Sequence, residues 1–403
     1  MTGPVEDERA LSPGVPFATR AFEVTWPEAP LPPAPPLPPG SWLLLTDEHP
    51  AALARAVALA LSLAETGDEA LSLPQDDFGE LPGFLAGRRV RGVVFLTGAP
   101  HAYHDPEDAR ELLQAVSSVV ARLDRGVRFH LVTQARGEPG LVFLRGLIRV
   151  LACERPDLRA SIADFDVRST VDAIARELRA DAPEDEVRWR HDVRYAARLT
   201  RVPVAPEVPA GPGAYVVTGG FGALGLATAR WLADHGATRI VLSGRRGGVA
   251  DLPGVDVVVV AGDLADSGVA DRLIAEATAG GVALRGIVHA AGVFAEDAET
   301  VWRARVLGAR RLHEAIAEIP PVWWLLCSPA TALFGSPGRV GDATADAWLD
   351  AFAAWRRSRG LPAAITRVGT GQLSPAVWRP YFSSVLEEFV HRTDLFGEDA
   401  SGV

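Results

Sequence analysis

The stretch AYVVTGGFGALGLATARWLADHG, residues 214–236, decides the fold. It opens with a short apolar run of strand character and ends in a helical pattern. Between the two lies Thr218–Gly225, in which Gly219, Gly222 and Gly225 leave the strand and open the helix. Glycines in that frame let backbone N–H groups approach a pyrophosphate, and the helix N-terminus adds positive potential. Downstream the alternation continues through TRIVLSG, VDVVVVAGD, VADRLIAEATAGG and LRGIVHAAG. Short apolar strands alternating with helices predict a doubly wound parallel α/β sheet.

Upstream a second unit of the same kind is legible. SWLLLTDEH, VRGVVFLTGA, VRFHLVTQA and RASIADFDV read as strands, and EVRWRHDVRYAARLTR supplies more. PAALARAVALALSLA reads as a helix beginning near a tolerated proline, and PEDARELLQAVSSVVARL as an amphipathic helix. LVFLRGLIRVLACERP reads as one helix stopped by Pro156. FEVTW (22–26) alternates like a strand, and the proline-rich run after it predicts an extended spacer. VPVAPEVPAGPG (202–213) marks the boundary between the units. The expected organisation is a flexible N-terminus over 1–21, a first unit over 22–205 and a second over 213–395. A chain of 403 residues, 48% hydrophobic, has enough material for two domains with cores of their own.

Composition narrows the function. A formal net charge of −11 argues against unaided binding to nucleic acid or to an anionic membrane. Cys153 and Cys327 show no metal-ligand spacing and no disulfide framework, and the acidic first residues lack an apolar leader segment. A reducing cytoplasm is the expected compartment. No apolar run approaches the roughly 20 residues of a membrane span. The chain contains no lysine at all, so its formal basic charge is arginine. Any step that needs a lysine ammonium cannot run on this chain alone.

Further residues fit a bound NADP. SGRRG (243–247) ends the second strand of the second unit, where Arg245 and Arg246 would pair with a 2′-phosphate. Asp263 follows the third strand, near an adenine edge, and HAAG (289–292) ends the fourth with small residues. In the first unit the equivalent turn, TDEHPAA, is acidic and lacks glycine; its carboxylates would repel phosphate. That unit reads as a support.

These motifs, in this order, resemble the ketoreductase domains of modular polyketide synthases, within the short-chain dehydrogenase/reductase superfamily. The resemblance covers about residues 22–370 and includes FLRGLIRVLACERPDLRASIADFD, TGGFGALG, HAAGV, GARRLHEA and FGSPGRVGDATADAWLDAFAAWRRSRGLPA. It implies two Rossmann-like units, a truncated structural subdomain followed by a catalytic one. It implies NADP(H) contacts at Thr218, Gly219, Gly220, Phe221, Gly222, Leu224, Gly225, Ser243, Arg245, Asp263, Ala290, Ala291 and Gly292. Its expected partners are polyketide synthase modules or an acyl carrier protein.

The family's chemistry uses a tyrosine acid, a lysine that lowers the tyrosine's pKa, a serine and an asparagine. Aligned without gaps from Gly335, those positions hold Asp342, Arg305, Pro329 and Asp346, respectively. Ser328 and Ser336 lie close enough to replace the serine, but nothing replaces the acid. A carboxyl group with a reference pKa of about 3.9 is ionised at pH 7 and repels a developing alkoxide. Arg305 beside the two aspartates would make an internal salt bridge. Losing one member of a cooperating catalytic set costs orders of magnitude in rate.

The expectation is therefore a ketoreductase-like protein without ketoreduction, acting as scaffold or docking partner, with NADP(H) binding weak or vestigial. Two alternatives stand beside it. One is an NADPH-dependent β-ketoacyl reductase with an unusual acid. The other is a non-redox epimerase, dehydratase or cyclase acting on a carrier-bound polyketide, with Asp342, Asp346 and His313 as acid/base groups. Trp378, Tyr381 and Phe382 form an apolar cluster expected to cap the core.

Overall fold

Unbroken apolar runs such as Trp42–Leu45 and Val93–Leu96 are buried on both faces, as strands covered by helices on each side must be. The computed structural model describes residues 21–33, 38–47, 49–73, 75–86, 90–99, 105–135, 139–202, 210–292, 297–329 and 333–368. The first twenty residues, most of the boundary segment and the cluster around Trp378 lie outside the described residues.

The first unit runs β1 (Ala21–Thr25), β2 (Ser41–Thr46), α1 (Pro50–Ala64), β3 (Glu69–Leu73), α2 (Leu81–Leu85), β4 (Val90–Leu96), α3 (Pro106–Ala121), β5 (Arg128–Thr133), α4 (Pro139–Val142), α5 (Arg145–Glu154), β6 (Ser161–Phe165), α6 (Val171–Arg179), β7 (Glu186–Arg190), β8 (Val193–Ala196) and β9 (Arg198–Val202). The second runs β10 (Ala214–Thr218), α7 (Ala223–Asp234), β11 (Arg239–Gly244), β12 (Asp256–Ala261), α8 (Val269–Thr278), β13 (Leu284–His289), α9 (Ala298–Trp302), a π-helical turn (Arg303–Leu307), α10 (Gly308–Ala315), β14 (Trp323–Pro329), α11 (Val340–Ser358) and β15 (Ala364–Val368).

The second sheet has the order β12-β11-β10-β13-β14-β15, parallel throughout. The chain order reverses between β10 and β13, and the glycine-rich turn leaves β10 at that switch point, where α/β sheets bind ligands. The first sheet has the order β3-β2-β4-β5-β6-β7-β8 and is parallel except for the final β7–β8 pair. β1 and β9 form a separate antiparallel pair, which ties the start of the first unit to its end. The spacer is not free along its length: Ala29 N–H donates to Arg194 O at 2.9 Å and Glu28 bridges Tyr195.

Two expectations need correction. The helix expected over 141–156 is two helices, because at Phe143–Gly146 the ladder tightens: Leu144 N–H bonds Leu141 O and Gly146 N–H bonds Phe143 O. The break sets Phe143 edge-on against Trp302 of the second unit, with centroids 6.0 Å apart. The units also do not rest on separate cores alone: each has an apolar cluster of its own, and a third is shared. One apolar cluster joins Leu43, Phe95 and Leu131 of the first sheet to Val216, Ile287 and Leu326 of the second, through α3, α5, α8, α10 and α11. α5 packs directly on α11. A Cβ built on Gly146 would lie 2.2 Å from Ala343 O, so only glycine permits that spacing.

Candidate functional site

The glycine turn is built by close backbone contact. Gly219 has φ +65°, and a Cβ there would lie 2.6 Å from Ala290 O; one on Gly225 would lie 2.2 Å from Gly219 O. Gly220 N–H donates to Ser243 O at 2.9 Å and Ala290 N–H to Thr218 O at 3.2 Å. Thr218, Gly219, Gly220, Ser243, Ala290 and the Ala291–Gly292 turn thus meet at the ends of β10, β11 and β13. Gly222 caps α7 with no side-chain bond to the helix N–H groups. Leu224 turns inward to the core under the sheet. The Phe221 ring lies on the backbone of Gly244 and Gly248, the turn that exposes Arg245 and Arg246.

At the other end of the cleft stands Arg305, fully buried on the π turn. Its Nη1 donates to Asp346 Oδ1 at 2.8 Å and its Nη2 to Asp342 Oδ1 at 3.2 Å. Its Nε and Nη2 also donate to Gly292 O, at 3.0 and 2.8 Å. Asp342 and Asp346 are one helical turn apart on α11 and therefore share a face. Asp346 is fully buried too, whereas Asp342 keeps 14% of its side chain exposed and gives its second oxygen to Arg339 Nε at 2.8 Å. A carboxyl whose two oxygens both face guanidinium donors is an acceptor at each and has no proton to give. The arrangement can tie the loop after β13 to α11. Pro329 ends β14 opposite Val368, with Ser328 buried beside it.

His289 connects the two ends. Its Nδ1 lies 2.9 Å from Thr218 Oγ1 and its Nε2 3.1 Å from Arg305 O. A carbonyl only accepts, so Nε2 carries the proton, Nδ1 accepts from the threonine hydroxyl, and the ring is neutral. Burial pushes the pKa down to about 4, with the nearby Arg305 charge pushing the same way. His313 belongs elsewhere. It accepts from Arg356, packs edge-on against Phe352 and Trp355, and is also pushed to about 4, chiefly by burial.

Asp263 is already engaged: Oδ1 accepts from Ala265 N–H at 3.0 Å and Oδ2 from Arg303 Nε at 3.2 Å. Nothing in the sequence singles out Arg303, Arg339 or Gly146. Arg303 and Gly146 act through tertiary partners, and although Gly146 and Arg339 lie inside quoted motifs, nothing in those motifs marks the contacts they make. The first unit fills its own switch point instead. Buried Asp47 accepts from His49 N–H at 3.1 Å and Gly98 N–H at 2.5 Å, while Arg55 reaches Thr97 O and Gln134 Oε1. Burial raises the Asp47 pKa, against the pull of those backbone bonds. Among the described residues no group of three or more His, Cys, Asp or Glu side chains could hold a metal, and no helix is long and apolar enough to cross a membrane.

Comparison with known proteins agrees with this architecture. Residues 213–371 match the family model described as KR domain. The chain is 36% identical over 424 residues to a phenolphthiocerol/phthiocerol polyketide synthase polypeptide of Mycobacterium tuberculosis (strain CDC 1551 / Oshkosh), covering 90% of this chain and 23% of that one. It thus spans about a quarter of that relative's length. A solved structure of A-type ketoreductases from a modular polyketide synthase superposes with a TM-score of 0.75 at 26% identity, covering 94% of this chain and 92% of the other. The first ketoreductase of the tylosin synthase gives 0.74 at 26% identity, covering 93% and 91%.

Proposed function

Residues 213–371 belong to the KR domain family, and on that footing we propose that the chain is a ketoreductase-fold component of a polyketide assembly line that does not itself reduce ketones. Its role is that of a scaffold or docking partner beside synthase modules or an acyl carrier protein. The observation that supports this best is the buried Arg305–Asp346–Asp342 cluster. It stands at the positions where the family resemblance sets the lysine, the asparagine and the tyrosine. Both aspartates bond the arginine, and the described cleft contains no tyrosine or lysine.

NADP(H) fits this chain unevenly. The Gly219–Gly225 cradle, which a Cβ would fill, and the exposed Arg245 suit a pyrophosphate and a 2′-phosphate. The nicotinamide end lacks the ammonium and the phenol, and its guanidinium is committed to carboxylates and to Gly292 O. Binding is weak and runs through the adenosine half.

The deciding experiment incubates the protein with NADPH and a β-ketoacyl thioester mimic and follows absorbance at 340 nm. No consumption above the protein-free control is expected; sustained turnover would sink the proposal. Calorimetric titration giving a sub-micromolar NADPH affinity would overturn the cofactor part independently.

A further inference from the structure

Arg303 and Arg305 stand on one π turn and serve opposite ends of the cleft. Arg305 is locked: its guanidinium is tied to α11 and to Gly292, and its carbonyl takes the His289 N–H. The backbone of the turn therefore cannot easily withdraw. Arg303 projects the other way, with Nε on Asp263 Oδ2 at 3.2 Å and Nη2 on Asp266 Oδ1 at 2.7 Å. The remaining oxygen of Asp263 holds Ala265 N–H. Both oxygens of Asp263, the carboxylate that the sequence reading sets near an adenine edge, thus already accept from the protein itself.

Resting on the cofactor-site reading above, we propose that Arg303 is an affinity-setting residue: an internal competitor for Asp263 that weakens the binding of an adenine nucleotide until it swings away. The side chains of Arg303 and Asp263 keep 36% and 28% of their exposure, so release needs a side-chain swing and no unfolding. An ion pair this exposed shifts an equilibrium by at most about fivefold. The expected gain on removing Arg303 is therefore about two- to fivefold in affinity. Deleting a guanidinium also removes an attraction for the ligand's phosphates, which acts in the opposite direction. The sign of the measured change decides which effect rules.

The test is calorimetric titration with adenosine 2′,5′-bisphosphate of the unaltered chain, Arg303→Ala, Arg303→Gln, and Arg303→Ala combined with Asp263→Asn. Both single variants should bind about two- to fivefold more tightly, and the added Asp263→Asn should cancel the gain. Nicotinamide mononucleotide, which has no adenosine, should show no difference among them. Arg303→Gln keeps a long helix-compatible side chain and guards against a folding defect in the alanine variant. Unchanged or weaker binding in both single variants overturns the inference, as does an absence of binding by every form at millimolar ligand. Failure of the non-reducing reading would show separately, as NADPH consumption by the unaltered protein.

Discussion

Replacing Asp346 with alanine tests the buried cluster directly. Arg305 is wholly buried, and Asp346 Oδ1 holds its Nη1 at 2.8 Å. Removing the carboxylate leaves that guanidinium to Asp342, at 3.2 Å and shared with Arg339, and to the neutral Gly292 carbonyl. Breaking a buried pair by deleting one partner typically costs about 3–5 kcal/mol, because the other charge stays desolvated. Asp342 compensates in part, so the loss should fall near the lower figure, about 3 kcal/mol. Urea unfolding monitored by tryptophan fluorescence reads this as a lower midpoint at unchanged slope. The companion variant, Arg305→Met with Asp346→Leu, removes both buried charges and should recover most of the loss. A single variant within about 0.5 kcal/mol of the unaltered protein, the range of an ordinary surface change, would refute the reasoning. So would a double variant no more stable than the single one.

Three further outcomes are expected. His289 is neutral in the fold with its pKa pushed to about 4 from 6.5, so the unfolded chain binds the proton first as pH falls. Its contribution is whole above about pH 6.5 and is lost toward pH 4, a fall of about 3 kcal/mol; urea midpoints across that range should fall less in His289→Gln. Gly146→Ala would raise helix propensity by about 0.5–1 kcal/mol on an open helix, but here its Cβ meets Ala343 O at 2.2 Å. A net destabilisation of about 1–3 kcal/mol is expected, and any gain in stability contradicts the α5–α11 contact. Cys327 is buried with its thiol pushed up to about 12 by burial, whereas Cys153 is exposed. A thiol reagent should therefore label one cysteine in the native protein and two in denaturant; two native labels would contradict the packing of β14.

The elements legible from sequence are those whose cause is local. α1 begins at Pro50 and ends at Ala64 as its apolar pattern predicts, because proline is tolerated in a first helical turn and the periodicity runs unbroken to that point. The turn after β10 is legible for the same reason: its glycines answer contacts made within a few residues and with the neighbouring strand ends. Short strands with weaker signals, such as β3, and the polar helix α6 are not legible in this way, since neighbouring packing stabilises them more than propensity does.

By itself, then, the sequence determined the alternation of strands and helices, the glycine turn that opens α7, and the absence of any lysine. Those properties belong to near neighbours along the chain or to composition, and no folding is needed to read them. The tertiary structure alone decided that Gly146 meets Ala343, that Arg303 meets Asp263 forty residues away, and that Arg305 gathers Gly292, Asp342 and Asp346 around one guanidinium. An arginine can reach any carboxylate that packing brings near it. Which one it meets depends on how two sheets and the helices between them settle against each other, and no periodicity in the chain encodes that distance.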